Sequence, residues 1–236
     1  AKDIIEQHAY LLECNPSLQI TMSTNGGVRN SEFWTRLGNL YSKSSSSRME
    51  FHIDGLEDTN HIYRVGVMWD KLMANVRSFN AAGGKSTWVF IPFFHNEHQT
   101  EQAKTMAKEL GCVDFVVKPT TRFKTSTIHF SGKTKLRPPT DGDLRPKHAQ
   151  LSSIQCVSEI RKEVYVDAWG RLWPCCWTAA AGRNDVGWPM HKDPTVNSLD
   201  ESNVNVIIQS KIMCEWSAKM QNSNVSVCQR CSKPVV

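Results

Sequence analysis

Through its first half the chain switches repeatedly between two hydrophobic periods, and that alternation restricts its fold more than any other feature. DIIEQHAYLLEC carries apolar residues at helical spacing, and QITMSTNGG follows as a short strand ending in a glycine turn. NSEFWTRLGNLYSK is a second helix that runs into the serine loop from Ser44 to Ser47. MEFHIDGL is the next strand, closing on Asp54 and Gly55. HIYRVGVMWDKLMANVRSFNAAGG reads as a turn and a long helix stopped by Gly83 and Gly84. STWVFIPFF is a continuous apolar strand, HQTEQAKTMAKELG an amphipathic helix ended by Gly111, and DFVVKP a last short strand. Strand and helix in strict alternation predict a parallel sheet with its helices outside, an α/β fold. In such sheets ligands bind at the carboxyl ends of the strands, where STNGG, HIDGL, HNEH and VKP all fall.

From Thr125 to Gln150 the pattern dissolves into KTKLRPPTDGDLRPK, rich in proline, glycine and charge, and this predicts a linker. The expected organisation is therefore an α/β region over 1–124, a linker over 125–150, and a second module over 151–236. Within that module VYVDAWGRLWPCCW reads as a hairpin: VYVDA alternates, Trp169 and Gly170 turn, and RLWPC returns. VNSLDESNVNVIIQSKIMCEWSAKM is partly helical, and VCQRCSKPVV closes the chain. No internal repeat is present.

The formal charge of +5 is spread along 236 residues without a clustered basic face, which speaks against nucleic acid as a partner. No apolar run has the length of a membrane span, and AKDIIEQHAY lacks the basic-then-apolar shape of a signal peptide, so a cytoplasmic chain without membrane attachment is expected. Neither pattern nor composition speaks to oligomeric state. In a reducing compartment the thiols matter by their distribution. Six of the eight cysteines fall between Cys156 and Cys231, while Cys14 and Cys112 stand alone and read as core residues.

Cys228 and Cys231, in a C-x-x-C pair, can bring two thiolates to one metal across a tight turn, and Cys156 and Cys175 supply two more. A four-sulfur tetrahedral set suits either a structural zinc or a cubane iron-sulfur cluster. In WPCCW, adjacent side chains of an extended segment point to opposite faces, so either one thiol is a ligand and the other packs, or both are core. His95 and His98 read as solvated loop histidines rather than a metal pair.

The run STNGG, MEFHIDGLEDTNHIYRVG, WVFIPFFHNEHQTEQAKTMAKELG and FVVKP resembles the middle and later strands of radical S-adenosylmethionine (SAM) enzymes. The tail, with VYVDAWGRLWPCCW and CQRC, resembles the auxiliary-cluster extension of that family called SPASM or, in its shorter form, twitch. The resemblance implies the C-terminal part of a partial (β/α)6 barrel followed by a small cysteine-rich domain, with SAM lying across the strand ends. His52 and Asp54 would lie near the ribose and methionine part of SAM. Arg64 would meet its carboxylate, Asn96 its adenosine, and the backbone at Val117 its adenine. Asn25, in the STNGG turn, is a further candidate contact. Cys156, Cys175, Cys228 and Cys231 would hold an auxiliary 4Fe-4S cluster, which orients a substrate or takes an electron from it. In the matching tail pattern the cysteine after the proline binds the cluster, which makes Cys175 the expected ligand, Cys176 its packed neighbour or a spare, and Cys214 the other reserve.

The activity so implied is reductive cleavage of SAM to a 5′-deoxyadenosyl radical that abstracts hydrogen from a substrate, either a peptide or a small molecule. No catalytic side chain is singled out. The family's CxxxCxxC loop, whose thiolates hold the cluster that binds SAM, is absent: only Cys14 precedes Cys112. The first two barrel strands are absent too, so the sequence is expected to be a fragment of a longer enzyme carrying a second 4Fe-4S cluster. The alternative is a non-catalytic module that holds zinc or iron-sulfur and binds a ligand or partner. Local alternatives also stand: Asn25 and Gly26 as a turn pair, Asp54 as a cap, Arg64 in a surface ion pair. Trp169, Trp173, Trp177 and Trp188 pack around the cluster or line a peptide-binding wall.

Overall fold

The computed structural model describes residues 3–120, 123, 128–130, 134–140, 156–181, 190 and 193–215. It falls into two compact units, Ala1–Arg145 and Pro146–Val236. No helix among the described residues is long and apolar enough to cross a membrane.

In the first unit α1 (Ile4–Cys14), β1 (Thr21–Thr24), α2 (Ser31–Tyr41), β2 (Arg48–His52), the single turn α3 (Asn60–Tyr63), α4 (Trp69–Ala81), β3 (Ser86–Phe90), α5 (Thr100–Glu109) and β4 (Asp114–Val117) follow in order. The four strands form one parallel sheet in the order β1-β2-β3-β4. Sequential neighbours joined by helices are what the strand and helix periods dictate, and this is the α/β sheet that the alternation predicts. Because side chains alternate along a strand, one face sends Met49, Phe51, Trp88 and Phe90 into the core. Trp34, Leu37 and Tyr41 of α2 and Val76 and Phe79 of α4 meet them there, all at most 1% exposed. The Phe79 ring lies 5.6 Å from Tyr41, 5.8 Å from Phe51 and 6.4 Å from Trp34, edge-on to each. Gly38 permits this contact, since a Cβ there would stand 2.4 Å from the Phe79 carbonyl oxygen.

The other face of the sheet carries Ser23, Glu50 and His52, which the same alternation places in the opposite row. Ser23 is exposed, and Glu50 and His52 are half-buried.

Two expectations need correction in this unit. The stretch read as a linker contains an antiparallel hairpin, β5 (Ile128–Phe130) with β6 (Thr134–Leu136). Leu136 is buried beside Tyr63, Ile91 and Phe93, so hydrophobic burial anchors a segment whose prolines and charges dominate the pattern. The Phe94 N–H donates to the Arg137 carbonyl at 3.2 Å, and the Arg137 guanidinium lies 3.5 Å from the Phe94 ring centroid. The second correction is Cys14, which sits exposed at the end of α1. Cys112 does pack against the core, and its sulfur accepts from Ser86 Oγ at 3.4 Å. Burial pushes that thiol upward in pKa, so it is a packing residue and not a reactive one.

In the second unit α6 (Val157–Ile160) leads to the expected hairpin, β7 (Tyr165–Val166) with β8 (Leu172–Trp173), and then to α7 (Cys176–Ala181). Asp167 organises the hairpin turn. Its carboxylate accepts from the backbone of Trp169 and Arg171, from Arg171 Nε at 2.8 Å and from the Trp173 indole at 2.9 Å. A second segment is stitched alongside: Arg171 bridges Ser198, Leu199 N–H donates to the Gly170 carbonyl at 2.9 Å, and the buried Asn197 amide donates to the Leu172 carbonyl.

Candidate functional site

The carboxyl ends of β1 to β4 bring together most of the polar residues singled out in the first unit. At the end of β1 the chain turns sharply. Gly26 has φ +67°, and a Cβ there would stand 2.6 Å from Leu72 and 3.0 Å from Phe51. Only glycine meets both demands without strain. Asn25 is exposed, and its side-chain oxygen accepts from Gly27 N–H at 3.1 Å, which makes it first of all a turn residue. The turn is held from α4 by Asn75, whose amide donates to the Gly26 carbonyl at 2.8 Å.

After β2 the chain places Asp54 at 0% exposure. Its Oδ1 accepts from Ile91 N–H at 2.7 Å, and its Oδ2 meets Arg64 Nε at 2.6 Å. Its own N–H donates to Asn60 Oδ1, and its carbonyl accepts from the Asn96 amide at 2.9 Å. The carboxylate is therefore an internal anchor that joins β2, the extension of β3 and the loop bearing Arg64. It is neither a helix cap nor part of a surface pair. A buried carboxylate needs this many partners to remain charged.

Asn96 is likewise turned inward. It is fully buried, its oxygen accepts from Phe93 N–H at 2.6 Å, and its amide donates to the carbonyls of Asp54 and Ile91. A side chain engaged in this way, with both amide N–H groups donated inward, sets the spacing of two strand ends.

Arg64, by contrast, is partly exposed. Only its Nε is committed to Asp54, its guanidinium lies 5.0 Å from the Tyr63 ring centroid, and its side chain is 21% exposed. The two terminal nitrogens face no other carboxylate among the described residues.

His52 stands on the sheet face next to Glu50, Nε2 to Oε2 at 3.6 Å, and the same Glu50 oxygen accepts from Ser23 Oγ at 2.7 Å. Burial lowers the pKa of His52, the Arg64 and Lys118 charges lower it further, and Glu50 opposes them. The imidazole is therefore neutral near pH 7. Glu50, Ser23 and Lys118 were not singled out from the sequence, although the alternation in MEFHI puts Glu50 on the same face as His52.

Val117 ends the edge strand β4, opposite Phe90 and 41% exposed. In a parallel ladder successive residues direct their backbone groups to opposite sides. Lys118 N–H donates to the Phe90 carbonyl at 2.8 Å, so the N–H and C=O of Val117 point away from β3, to the side on which no described strand pairs.

His95 is not a solvated loop histidine. Its ring stacks on Phe93 at 5.4 Å, its Nε2 is buried without a hydrogen-bond partner among the described residues, and burial, then His61 and His98, lower its pKa.

In the second unit Cys156 is buried at the start of α6 and Cys175 is half-buried, its sulfur 3.7 Å from Thr178 Oγ1. Cys176 is exposed, so it is no packed neighbour. Cys156 and Cys214 line one cavity of about 210 Å³ together with Pro174, the residue before Cys175. Cys228, Cys231 and Trp188 lie outside the described residues. Among the described residues no three of His, Cys, Asp and Glu are grouped to hold a metal ion. Trp173 is 1% exposed, whereas Trp169 is 74% and Trp177 40% exposed, so packing accounts for the first and not for the other two.

No protein-family model matches the sequence, and no curated protein matches it at the sequence level. Comparison of structures does find relatives in fold. Streptococcus suis SuiB matches with TM-score 0.57 at 14% identity over 92% of this chain. SuiB bound to S-adenosylmethionine matches with TM-score 0.54 at 11% identity, and SuiB bound to the precursor peptide SuiA with TM-score 0.54 at 12%, each over 99% of this chain. The matches cover 54% to 58% of SuiB, so this chain spans a little over half of its length. What is shared at these identities is the fold.

Proposed function

We propose that the chain is the later part of a radical SAM enzyme that modifies a peptide, with SAM across the ends of β1 to β4 and an auxiliary 4Fe-4S cluster in the tail. The observation that carries this reading is the convergence of His52, Arg64 and the open backbone of Val117 at the ends of a four-stranded parallel sheet. Arg64, pinned through Nε by Asp54, offers its terminal N–H groups to the SAM carboxylate. His52, neutral, faces the ribose and methionine part; Val117 offers one N–H and one C=O to the adenine; Asn25 borders the site at β1. Asp54 and Asn96 act by holding Arg64 and the strand ends in place. SuiB, in the same fold, binds S-adenosylmethionine and a precursor peptide, which supports both the cofactor and the peptide substrate.

When bound, a reduced 4Fe-4S cluster supplies the electron that cleaves SAM to methionine and a 5′-deoxyadenosyl radical. Cys156, Cys175, Cys228 and Cys231 would hold the auxiliary cluster. The cavity that Cys156 shares with Cys214 next to Pro174 makes Cys214 the first substitute for Cys175.

Titrating the chain with SAM by calorimetry tests the nucleotide site. Binding is expected, and Arg64→Gln weakens it by about tenfold or more, the loss of one charge-assisted contact. Absence of binding, or binding indifferent to Arg64, would overturn the assignment. Anaerobic reconstitution followed by metal analysis tests the tail. Iron and sulfide are expected, with loss in the Cys156→Ala and Cys175→Ala variants, whereas zinc without iron would rule out the auxiliary cluster.

A further inference from the structure

The tip of the tail hairpin exposes a tryptophan. Trp169 is 74% exposed at a turn whose one carboxylate, Asp167, is engaged by Trp169, Arg171 and Trp173, so the turn's own hydrogen bonding leaves the indole face uncovered. Beside it lies a cavity of about 320 Å³ lined by Trp169, Arg171, Thr195, Ser198 and Glu201. Its walls come from two chain segments joined by the Arg171–Ser198 bridge and by the hydrogen bond from Leu199 to Gly170. This fixes their spacing.

The charges in the cavity do not balance. The Arg171 guanidinium lies 5.1 Å from the Trp169 ring and 5.3 Å from the Trp173 ring, and its Nε and Nη2 each reach Asp167 Oδ2 at 2.8 Å. Hydrogen bonds outweigh the upward push of burial and hold Asp167 below the usual carboxylate range, so that pair is neutral as a whole. Glu201 has no ion-pair partner among the described residues. The cavity thus presents the Trp169 indole, the Arg171 guanidinium balanced by Asp167, the Thr195 and Ser198 hydroxyls, already bonded to Asp193 and to Asp200 N–H, and one uncompensated carboxylate, Glu201.

That combination suits a cation on an aliphatic stem: the stem lies along the indole, and the charge meets both the ring face and the carboxylate. An acidic side chain would be repelled by Glu201, and an apolar one would desolvate it without compensation. We infer that this cavity docks a lysine or arginine side chain of a peptide, an inference that rests on the peptide reading above for the nature of the occupant.

The test is a titration of the whole chain, observed through its indole N–H resonances, with the Trp169 signal identified by its loss in Trp169→Phe. The probes are blocked tripeptides Gly-Lys-Gly, Gly-norleucine-Gly and Gly-Glu-Gly. The lysyl peptide should shift the Trp169 signal saturably, and the norleucine peptide should bind about tenfold more weakly. Glu201→Gln should weaken the lysyl peptide by the same factor while the buried Trp173 signal stays in place. No saturable shift, equal binding of lysine and norleucine, or indifference to Glu201→Gln would overturn the inference. SAM binding measured on the same sample separates the two proposals. SAM bound without the lysyl peptide sinks only the docking site, and the lysyl peptide bound without SAM sinks only the reading it rests on.

Discussion

Each unit of the molecule carries one aspartate that gathers several donors, and the two aspartates do so at different range. Asp54 gathers Arg64, Ile91 and Asn96, the last two 37 and 42 residues away along the chain. Asp167 gathers Trp169, Arg171 and Trp173, all within 6 residues. The first is a tertiary device: it ties the end of β2 to the extension of β3 and to a loop, and so sets the position of a cation at the strand ends. The second is a turn device that closes one hairpin and requires nothing from the rest of the chain. An anchor of long range positions a site, whereas one of short range positions a local surface, here Trp169.

The sharpest way to break the comparison is to remove each anchor. Asp54→Ala strands the partly buried Arg64 charge and the Ile91 N–H, and should cost about 3 kcal/mol. Hydrogen exchange should then rise across β2, β3 and the 60–64 segment together. Asp167→Ala leaves the Trp173 indole and two backbone N–H groups without their acceptor. It should cost about 2 kcal/mol, with faster exchange confined to β7, β8 and the turn. Equal spread of the two effects would show that the anchors do not differ in range. Gly26→Ala, which meets positive φ and a 2.6 Å approach to Leu72, should cost about 1–2 kcal/mol and loosen the β1 turn alone.

The same distinction explains what could be read in the sequence. The parallel sheet, the helices between its strands and the tail hairpin were legible because strand and helix periods and turn residues are local signals. The convergence of His52, Asp54, Arg64 and Asn96 was legible only through the family resemblance, and their division of labour was not legible at all. Nothing local in HNEH reveals that Asn96 spends its whole amide on Asp54, Ile91 and Phe93. The hairpin inside the presumed linker was missed because Leu136 buries against Tyr63, Ile91 and Phe93, residues 43 to 73 positions earlier. Cys14 went astray for the opposite reason: a cysteine at helical spacing looks internal, but it is the last residue of α1, where the apolar stripe ends.

The smallest of these effects is a dependence on pH that only the long-range site should show. His52 is held neutral by burial and by the Arg64 and Lys118 charges, so its folded pKa lies below the unfolded value of 6.5. The unfolded chain then binds more protons as the pH falls through 6.5, and stability must fall with it, being fully retained only above that value. His8 and His95, lowered by burial as well, contribute with the same sign. The described residues of the tail include no histidine, and Asp167 is held low, so its contribution is lost only under much more acidic conditions. Urea midpoints followed by hydrogen exchange from pH 7.5 to pH 5 should therefore drop for β2 and β3 while the β7–β8 hairpin holds. His52→Gln, which keeps a polar side chain but cannot take the proton, should shrink the drop in the first unit and leave the hairpin unchanged. A profile unaltered by that substitution would mean that His52 feels neither its burial nor the two cations, and that Arg64 is not directed toward the strand ends.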